Sequence, residues 1–121
     1  MRDFIRPLAI ISLSGDEAND RELLTINGFN FAQAFGKYNG EEELSWVVSN
    51  ASQLHTAKLK QLAKDFKQES ILFVRRDRSA FLWFADGRIE KELGEWKKVD
   101  ELTATRADGY TLCAGSYYIT Q

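Results

Sequence analysis

The segment 36–48 constrains the fold more than any other part of the chain, because it passes directly from a turn into a buried strand. Gly36 and Gly40 allow the backbone there to adopt the positive φ angles that sharp turns need. Three glutamates follow, and residues 44–48 are then rich in leucine, tryptophan and valine, as is typical of a buried strand. The sequence therefore predicts a sheet in which one strand begins in a cluster of acids.

Glu43 is the acid of this cluster that we expect to be held at the edge of the core. Side chains alternate between the two faces of a strand, so Glu43 and Ser45 should share one face. A carboxylate fixed there can meet a cationic ligand, whereas the other interpretation is a surface turn that keeps the protein soluble. We favour the surface interpretation for Glu41. Glu42 stays an alternative to Glu43, because a register slip of one residue would exchange their faces.

Composition and charge exclude several classes of function. The chain has 121 residues, which predicts one domain spanning residues 1–121 with one hydrophobic core. Hydrophobic residues make up 44% and charged residues 28%, as in an ordinary globular protein. The 16 basic and 18 acidic residues give a net charge of -2. We therefore expect neither a basic face that binds nucleic acid nor an acidic mimic of DNA.

Two rare residue types limit the chemistry further, since the chain contains one cysteine, Cys113, and one histidine, His55. We therefore do not expect a disulfide framework, a cysteine or histidine metal site, or a Ser-His catalytic triad. Apolar runs are much shorter than the ~20 residues that span a bilayer. Residues 1–6 do not resemble a signal peptide, so we expect no membrane association and a cytoplasmic location.

Hydrophobic periodicity predicts an alternation of strands and helices in the first half of the chain. The predicted elements are a strand over residues 8–14, a helix over 17–35 that bends or ends near Gly28, the strand at 44–48, and a helix over 53–67 capped by Ser52.

The sequence pattern of the second half of the chain predicts strands only. The predicted strands cover residues 71–74, 80–84, 94–99, 110–113 and 117–120, the last two forming a terminal hairpin. We interpret the charged tip at residues 75–79 as a solvated loop rather than an anion contact.

This order of elements favours the α+β class. We expect a mainly antiparallel sheet with two helices on one face and a C-terminal hairpin, as in a ferredoxin-like sandwich. The 8 Phe, 4 Tyr and 3 Trp are numerous for so short a chain. We therefore expect some of them in a subunit interface or a ligand pocket.

The order of short motifs resembles that of the phage-encoded S-adenosylmethionine lyases, long called SAM hydrolases, over nearly the whole chain. A first apolar strand ends in a serine before a small residue, a tyrosine precedes a paired acid, and a glutamine, an acid and a small polar residue follow the second helix. The motifs are Leu13-Ser14-Gly15, Tyr38, Glu42-Glu43-Leu44-Ser45, Gln68-Glu69-Ser70, the strand that opens at Ala80, and Leu93-Gly94-Glu95-Trp96.

The resemblance implies a reaction, an assembly and a setting. The substrate is S-adenosylmethionine (SAM), whose own carboxylate attacks the γ-carbon to give L-homoserine lactone and 5′-methylthioadenosine, without metal or cofactor. The family is similar to PII-like homotrimers with active sites between subunits, and it depletes the cofactor of restriction enzymes in the infected host's cytoplasm. The implied catalytic residues are Glu43 and Tyr38, and the implied substrate-binding residues are Ser14, Glu42, Gln68, Glu69 and Ser70.

Two other functions fit the same residues. One is a PII-like module that binds an adenine nucleotide and performs no chemistry. The other is an inhibitor that uses its aromatic residues to bind a host defence enzyme. Fold alone does not decide between these and the lyase.

Overall fold

The structure is a computed structural model that describes residues 7–38, 41–49 and 52–121. The predicted turn at Asn39 and Gly40 and residues 1–6 lie outside these ranges, as does the side chain of Tyr38. The elements are β1 (Leu8–Ile11), α1 (Glu17–Ile26), β2 (Phe31–Tyr38), β3 (Glu41–Ser49), α2 (Gln53–Asp65), β4 (Ser70–Val74), β5 (Ser79–Phe84), β6 (Lys91–Val99), α3 (Glu101–Arg106), β7 (Gly109–Cys113) and β8 (Ser116–Thr120).

The strands form a closed antiparallel barrel in the order β1-β3-β2-β7-β8-β6-β5-β4. Strand β1 lies between β3 and β4, with Ile10 opposite Val47 on one side and Leu72 on the other. All four residues of β1 are buried, because alternate side chains enter different clusters. Its continuous apolar sequence is therefore explained by burial on both faces.

Each face of the sheet has its own hydrophobic cluster. The inner cluster fills the barrel and includes Ile10, Val47 and Trp96. The outer cluster packs Leu24 of α1 and Leu59 of α2 against the same side of the sheet. Two helices therefore cover one outer face, as the sequence predicts.

Helix α1 ends at Ile26, so the predicted end of the helix near Gly28 is confirmed, whereas its continuation to residue 35 is wrong. Asp16 caps its start by accepting a hydrogen bond from the backbone N–H of Asn19 at 3.0 Å. At its end Gly28 adopts φ 78°, and the backbone N–H of Phe29 donates to the carbonyl of Leu24 at 3.0 Å. This left-handed turn ends the helix. The following residues become β2, because β3 and β7 hydrogen-bond to it on both sides.

Helix α2 ends two residues before the predicted position. Ser52 caps its start, as predicted, and Lys67 adopts φ 56° after its end. The N–H of Lys67 donates to the Lys64 carbonyl at 3.1 Å and that of Gln68 to the Ala63 carbonyl at 2.8 Å. These two bonds form a Schellman motif, which fixes where Gln68 leaves the helix.

At Gly94, strand β6 packs closely against the backbone of the residue that follows β8. Gly94 adopts φ 92°, and a Cβ atom placed there would lie 2.6 Å from the backbone carbon of Gln121. Backbone hydrogen bonds between Glu95 and Gln121, at 2.9 and 3.0 Å, hold the two strands at this point. A side chain at position 94 would therefore push β8 away from β6.

The fold class is α+β, with the predicted antiparallel pairing and the predicted terminal hairpin of β7 and β8. The sheet closes into a barrel, whereas the sheet of a ferredoxin-like sandwich is open, so this part of the prediction is not confirmed. Helix α3, capped by Asp100, was also not predicted. None of the helices in the described ranges is long and apolar enough to cross a membrane.

Candidate active site at the end of strand β1

Ser12, the first residue after β1, links two side chains of β3. Its hydroxyl donates to Oε1 of Glu43 at 2.9 Å, and its Oγ lies 3.1 Å from Oγ of Ser45. The prediction that Glu43 and Ser45 share one face is thus confirmed. Ser45 is buried and Glu43 is exposed, so the contact joins an exposed carboxylate to the rigid end of the barrel.

The three acids all belong to β3, and the prediction that Glu41 lies in a turn is wrong. Strand β2 pairs with them, placing Gly36 opposite Glu43, Lys37 opposite Glu42 and Tyr38 opposite Glu41. Because faces alternate, Glu42 lies on the outer face of the sheet. Its negative charge contributes there to a raised pKa of Tyr117, for which burial is the main cause.

Asp20 on α1 is a fully buried carboxylate that sequence reasoning did not single out. It accepts hydrogen bonds from the backbone N–H of Ser14 at 3.1 Å and of Gly15 at 3.3 Å. The Ser14 hydroxyl also donates to it, and the Trp46 indole N–H donates at 3.2 Å. Every group in this set is a donor, which suits an ionised carboxylate.

The predicted strand over residues 8–14 is too long, because β1 ends at Ile11 and Ser14 lies in the segment that precedes α1. The Ser14 side chain donates to Asp20, and its Oγ accepts from the backbone N–H of Asp16 at 3.2 Å. The residue is exposed, and its hydroxyl hydrogen is committed to Asp20. Any further contact to Ser14 has to use an oxygen lone pair or the backbone carbonyl.

Gln68 also contacts the segment that follows β1, next to Ser14. Its Nε2 donates to the backbone carbonyl of Leu13 at 3.1 Å, and its side chain is half-buried. The Schellman motif at the end of α2 sets the direction from which it approaches. The amide oxygen Oε1 and the second N–H of Nε2 are the parts of Gln68 that this bond does not use.

Glu69 and Ser70 lie next to Gln68 but in different surroundings. Glu69 is exposed and accepts a hydrogen bond from Arg88 at 2.7 Å, while Ser70 is the first residue of β4. The hydrogen bond to Glu69 is the main cause of a raised pKa of Arg88, followed by the bond to Asp86. The N–H groups of Arg88 in turn lower the pKa of Asp86.

A surface depression of about 360 Å³ includes part of this set. Gln68 and Glu69 are among its lining residues, whereas Glu43 and Ser14 are not. The depression is lined by Lys64, Lys67, Gln68, Glu69, Ala85 and Asp86.

The segment of residues 12–15 is the common element of the site. Ser12 contacts Glu43, the carbonyl of Leu13 accepts from Gln68, and Ser14 binds Asp20. Side chains from β3, from α1 and from the segment between α2 and β4 thus meet consecutive residues. One signal for Asp20 was available, because it lies one helical turn before the buried Leu24.

Cys113 is buried in the inner cluster and bonded to a backbone carbonyl. Burial raises the pKa of the Cys113 thiol to about 11, and its sulfur donates to the carbonyl of Gln33 at 3.1 Å. A thiol in that state is a poor nucleophile. Within the described ranges, no three His, Cys, Asp or Glu side chains come together in a way that would hold a metal ion.

Comparison with known proteins gives one result about ancestry. A search of curated proteins finds no match. The model of the S-adenosylmethionine lyase family matches residues 15–121, a span that begins directly after Ser14 and includes Asp20, Glu43, Gln68 and Glu69. Because this match covers most of the sequence, the chain belongs to the S-adenosylmethionine lyase family.

Proposed function

We propose that this chain converts SAM to L-homoserine lactone and 5′-methylthioadenosine. One oxygen of the substrate carboxylate forms a bond to the γ-carbon. The bond from that carbon to sulfur breaks, and its electron pair stays on the sulfur. The protein supplies no atom and no electron to this step. The family to which the chain belongs supports a lyase activity on SAM.

The observation that carries the proposal is the contact between Ser12 and Glu43. It restrains an exposed carboxylate through a neutral hydroxyl at 2.9 Å, so the negative charge stays available to a cationic group. The ammonium group of SAM is such a group. An ion pair with Glu43 would hold the methionyl part and leave the substrate carboxylate free to attack.

Orientation is the main task of such a site. The attacking oxygen must lie about 3–3.5 Å from the γ-carbon and in line with sulfur, and orientation of this kind supplies roughly 7–11 kcal/mol. The bonds made by residues 12–15 to Glu43, Gln68 and Asp20 supply the rigidity that this task requires.

The other candidate residues receive more specific roles. Gln68 would accept a hydrogen bond from a ribose hydroxyl or from the ammonium group of the substrate through Oε1, while one N–H of Nε2 donates to Leu13. Ser14 would contact the substrate through its carbonyl or an oxygen lone pair. Glu69 would bind a cationic part of the substrate after exchange with Arg88, with Ser70 beside it.

Tyr38 and Glu42 lie where β2 ends and β3 begins. Tyr38 lies at the end of β2, in register with Glu41, and we assign it a hydrogen bond to the substrate. Glu42 lies on the outer face, so we propose that it contacts the substrate across a subunit boundary.

Assembly as a homotrimer with active sites between subunits completes the proposal. Glu43, Ser14 and Glu69 are all exposed on one chain, whereas the reaction neutralises charge and is favoured in a dry pocket. A neighbouring subunit would supply the cover. Phe35 on the outer face of β2 is 40% exposed, which favours this face as the contact.

The order of the first four strands supports a relation to PII-like trimers. Strands β4, β1, β3 and β2 are neighbours in that order, with α1 and α2 in the crossovers, as in the split βαβ arrangement. We propose that this half is the ferredoxin-like unit and that the later strands close it. A phage origin and a role against host restriction in the bacterial cytoplasm remain part of the proposal.

Incubation with SAM in ¹⁸O-labelled water tests the reaction. Mass spectrometry should detect 5′-methylthioadenosine and unlabelled homoserine lactone first, with label entering only when the lactone opens. Labelled homoserine without a lactone intermediate would refute the intramolecular attack. If SAM stayed intact, the proposed lyase activity would be refuted. If light scattering showed that the active protein is a monomer, an active site between subunits would be refuted.

A further inference from the structure

We propose that Asp20 is a positioning residue for the lyase reaction. Its buried carboxylate fixes the segment of residues 12–15, and this segment orients Glu43 and Gln68. The inference rests on the proposed function and adds a residue that does not itself touch the substrate.

Burial and hydrogen bonding show how firmly Asp20 is held. It is 0% exposed and accepts from Ser14, Gly15 and Trp46. A buried carboxylate is stable only when its oxygens are satisfied in this way. Both carboxylate oxygens are used, Oδ1 by Ser14 and Oδ2 by Gly15 and Trp46.

The contacts of Asp20 bridge the two strands that carry the candidate site. On one side they hold the backbone directly after β1, next to Ser12 and Leu13. On the other side they hold Trp46, which is fully buried in β3 and follows Glu43 on the same strand. Asp20 therefore fixes the end of β1 relative to the strand of Glu43.

The backbone at this point needs such a restraint. Gly15 adopts φ 86°, and a Cβ atom placed on it would meet nothing within 4 Å. As a glycine, Gly15 has no side chain whose packing could hold the turn. The hydrogen bonds from Ser14 and Gly15 to Asp20 perform that function.

A purely structural role in docking α1 is the competing explanation. Both roles predict that loss of the carboxylate lowers stability. Only positioning predicts that kcat falls in the folded protein while KM changes little, since the adenosine part of the substrate still binds.

The test compares Asp20→Asn with Asp16→Ala in the intact chain. Asp20→Asn keeps the shape but presents an amide N–H₂ to donors. Asp16→Ala removes the cap of the same helix and leaves the Ser14 bonds to Asp20 in place. Asp16→Ala should lower Tm and keep kcat. Asp20→Asn should lower kcat on the order of 10- to 100-fold, as small misplacements do.

A readout without substrate accompanies the kinetics. Amide hydrogen exchange at Ser14 and Gly15 should become faster in Asp20→Asn, and the Trp46 indole N–H resonance should shift. Asp16→Ala should change neither signal. Unchanged exchange at Ser14 and Gly15 in Asp20→Asn would overturn the inference.

Trp46→Phe keeps the inference testable if Asp20→Asn does not fold. The variant removes the indole donor at 3.2 Å but keeps an apolar ring in the outer cluster. A several-fold loss of kcat with faster exchange at Gly15 is expected, and unchanged kcat would overturn the inference. Wild-type protein inert toward SAM would overturn the proposed function together with this inference, whereas active wild type with an equally active Asp20→Asn would overturn the inference alone.

Discussion

Two carboxylates near the candidate site, Asp20 and Glu69, are held in opposite ways. Asp20 is completely buried and is held by neutral donors from the backbone, a hydroxyl and an indole. Glu69 is exposed at the end of the β4–β5 hairpin and is held by the charged Arg88 at 2.7 Å. Asp20 lies beside the end of β1 and β3, whereas Glu69 directly precedes β4, and their surroundings suit them to different tasks.

The difference shows which acid can exchange its partner. Removing a donor from Asp20 leaves a buried polar group unsatisfied, which is costly, so its contacts are permanent. Glu69 and Arg88 are both hydrated, and an exposed ion pair contributes little to stability. Under the proposed function, a cationic substrate would displace Arg88 from Glu69, whereas the buried Asp20 would keep its donors.

The largest expected effect is on stability, from Asp20→Ala. This change leaves the N–H groups of Ser14, Gly15 and Trp46 without their acceptor, and it should lower the free energy of unfolding by about 3–5 kcal/mol. Urea denaturation followed by circular dichroism measures it. Glu69→Ala is the matched control and should shift the midpoint very little. Equal losses in both variants would contradict the distinction between the two sites.

The next effect is on turnover, from Glu43→Gln. The amide oxygen keeps the acceptor for Ser12, but the charge that meets the substrate ammonium is lost. Charge-assisted hydrogen bonds are roughly twice as strong as neutral ones, so kcat/KM should fall on the order of 100-fold. The measurement is release of 5′-methylthioadenosine.

Glu41→Gln is the control, because Glu41 lies on the same face of β3 but further from Ser12. It should keep near-normal turnover. If Glu42→Gln lost activity while Glu43→Gln kept it, the acid on the outer face of the sheet would be the functional one.

A smaller effect is expected from the exchangeable pair. Arg88→Gln removes the cation that competes with the substrate for Glu69, so KM for SAM should fall by roughly two- to fivefold. Glu69→Gln should raise KM by a similar factor. Steady-state kinetics at low and high salt measure both, and the difference should shrink as salt screens the charges. An opposite sign for Arg88→Gln would show that Arg88 itself contacts the substrate.

The smallest effect is the acid sensitivity of the exposed pairs. Arg75 lowers the pKa of Glu92, and Arg88 lowers that of Asp86. A carboxyl whose pKa is lowered by folding stabilises the protein above its unfolded pKa of about 4, and this contribution is lost as pH falls through the folded pKa. When the pH is lowered from about 5 to about 3, Tm should therefore drop slightly more in wild type than in an Arg75→Gln, Arg88→Gln double variant.

Alternation of side chains allowed the local features of the site to be predicted. The shared face of Glu43 and Ser45, the cap at Ser52 and the terminal hairpin all follow from neighbouring residues in the sequence. Each depends on local geometry or on period-two patterning, which a sequence displays directly.

The missed features depend on distant residues. Phe31 and Phe35 fit a helical stripe with Leu24, and only pairing with β3 and β7 makes their segment a strand. The sulfur of Cys113 contacts the carbonyl of Gln33 across 80 positions of sequence. Asp20 likewise resembles an ordinary acid of a first helical turn until Trp46, 26 residues later, donates to it.

The closure of the sheet has a consequence for the proposed association of copies of this chain. A strand at a sheet margin presents unpaired N–H and C=O groups that can recruit another polypeptide. Each of the eight strands described here has a neighbour on both sides, so no such margin is offered. The proposed association would therefore use side chains, and we expect single substitutions on the outer face of β2 to prevent it without unfolding the chain.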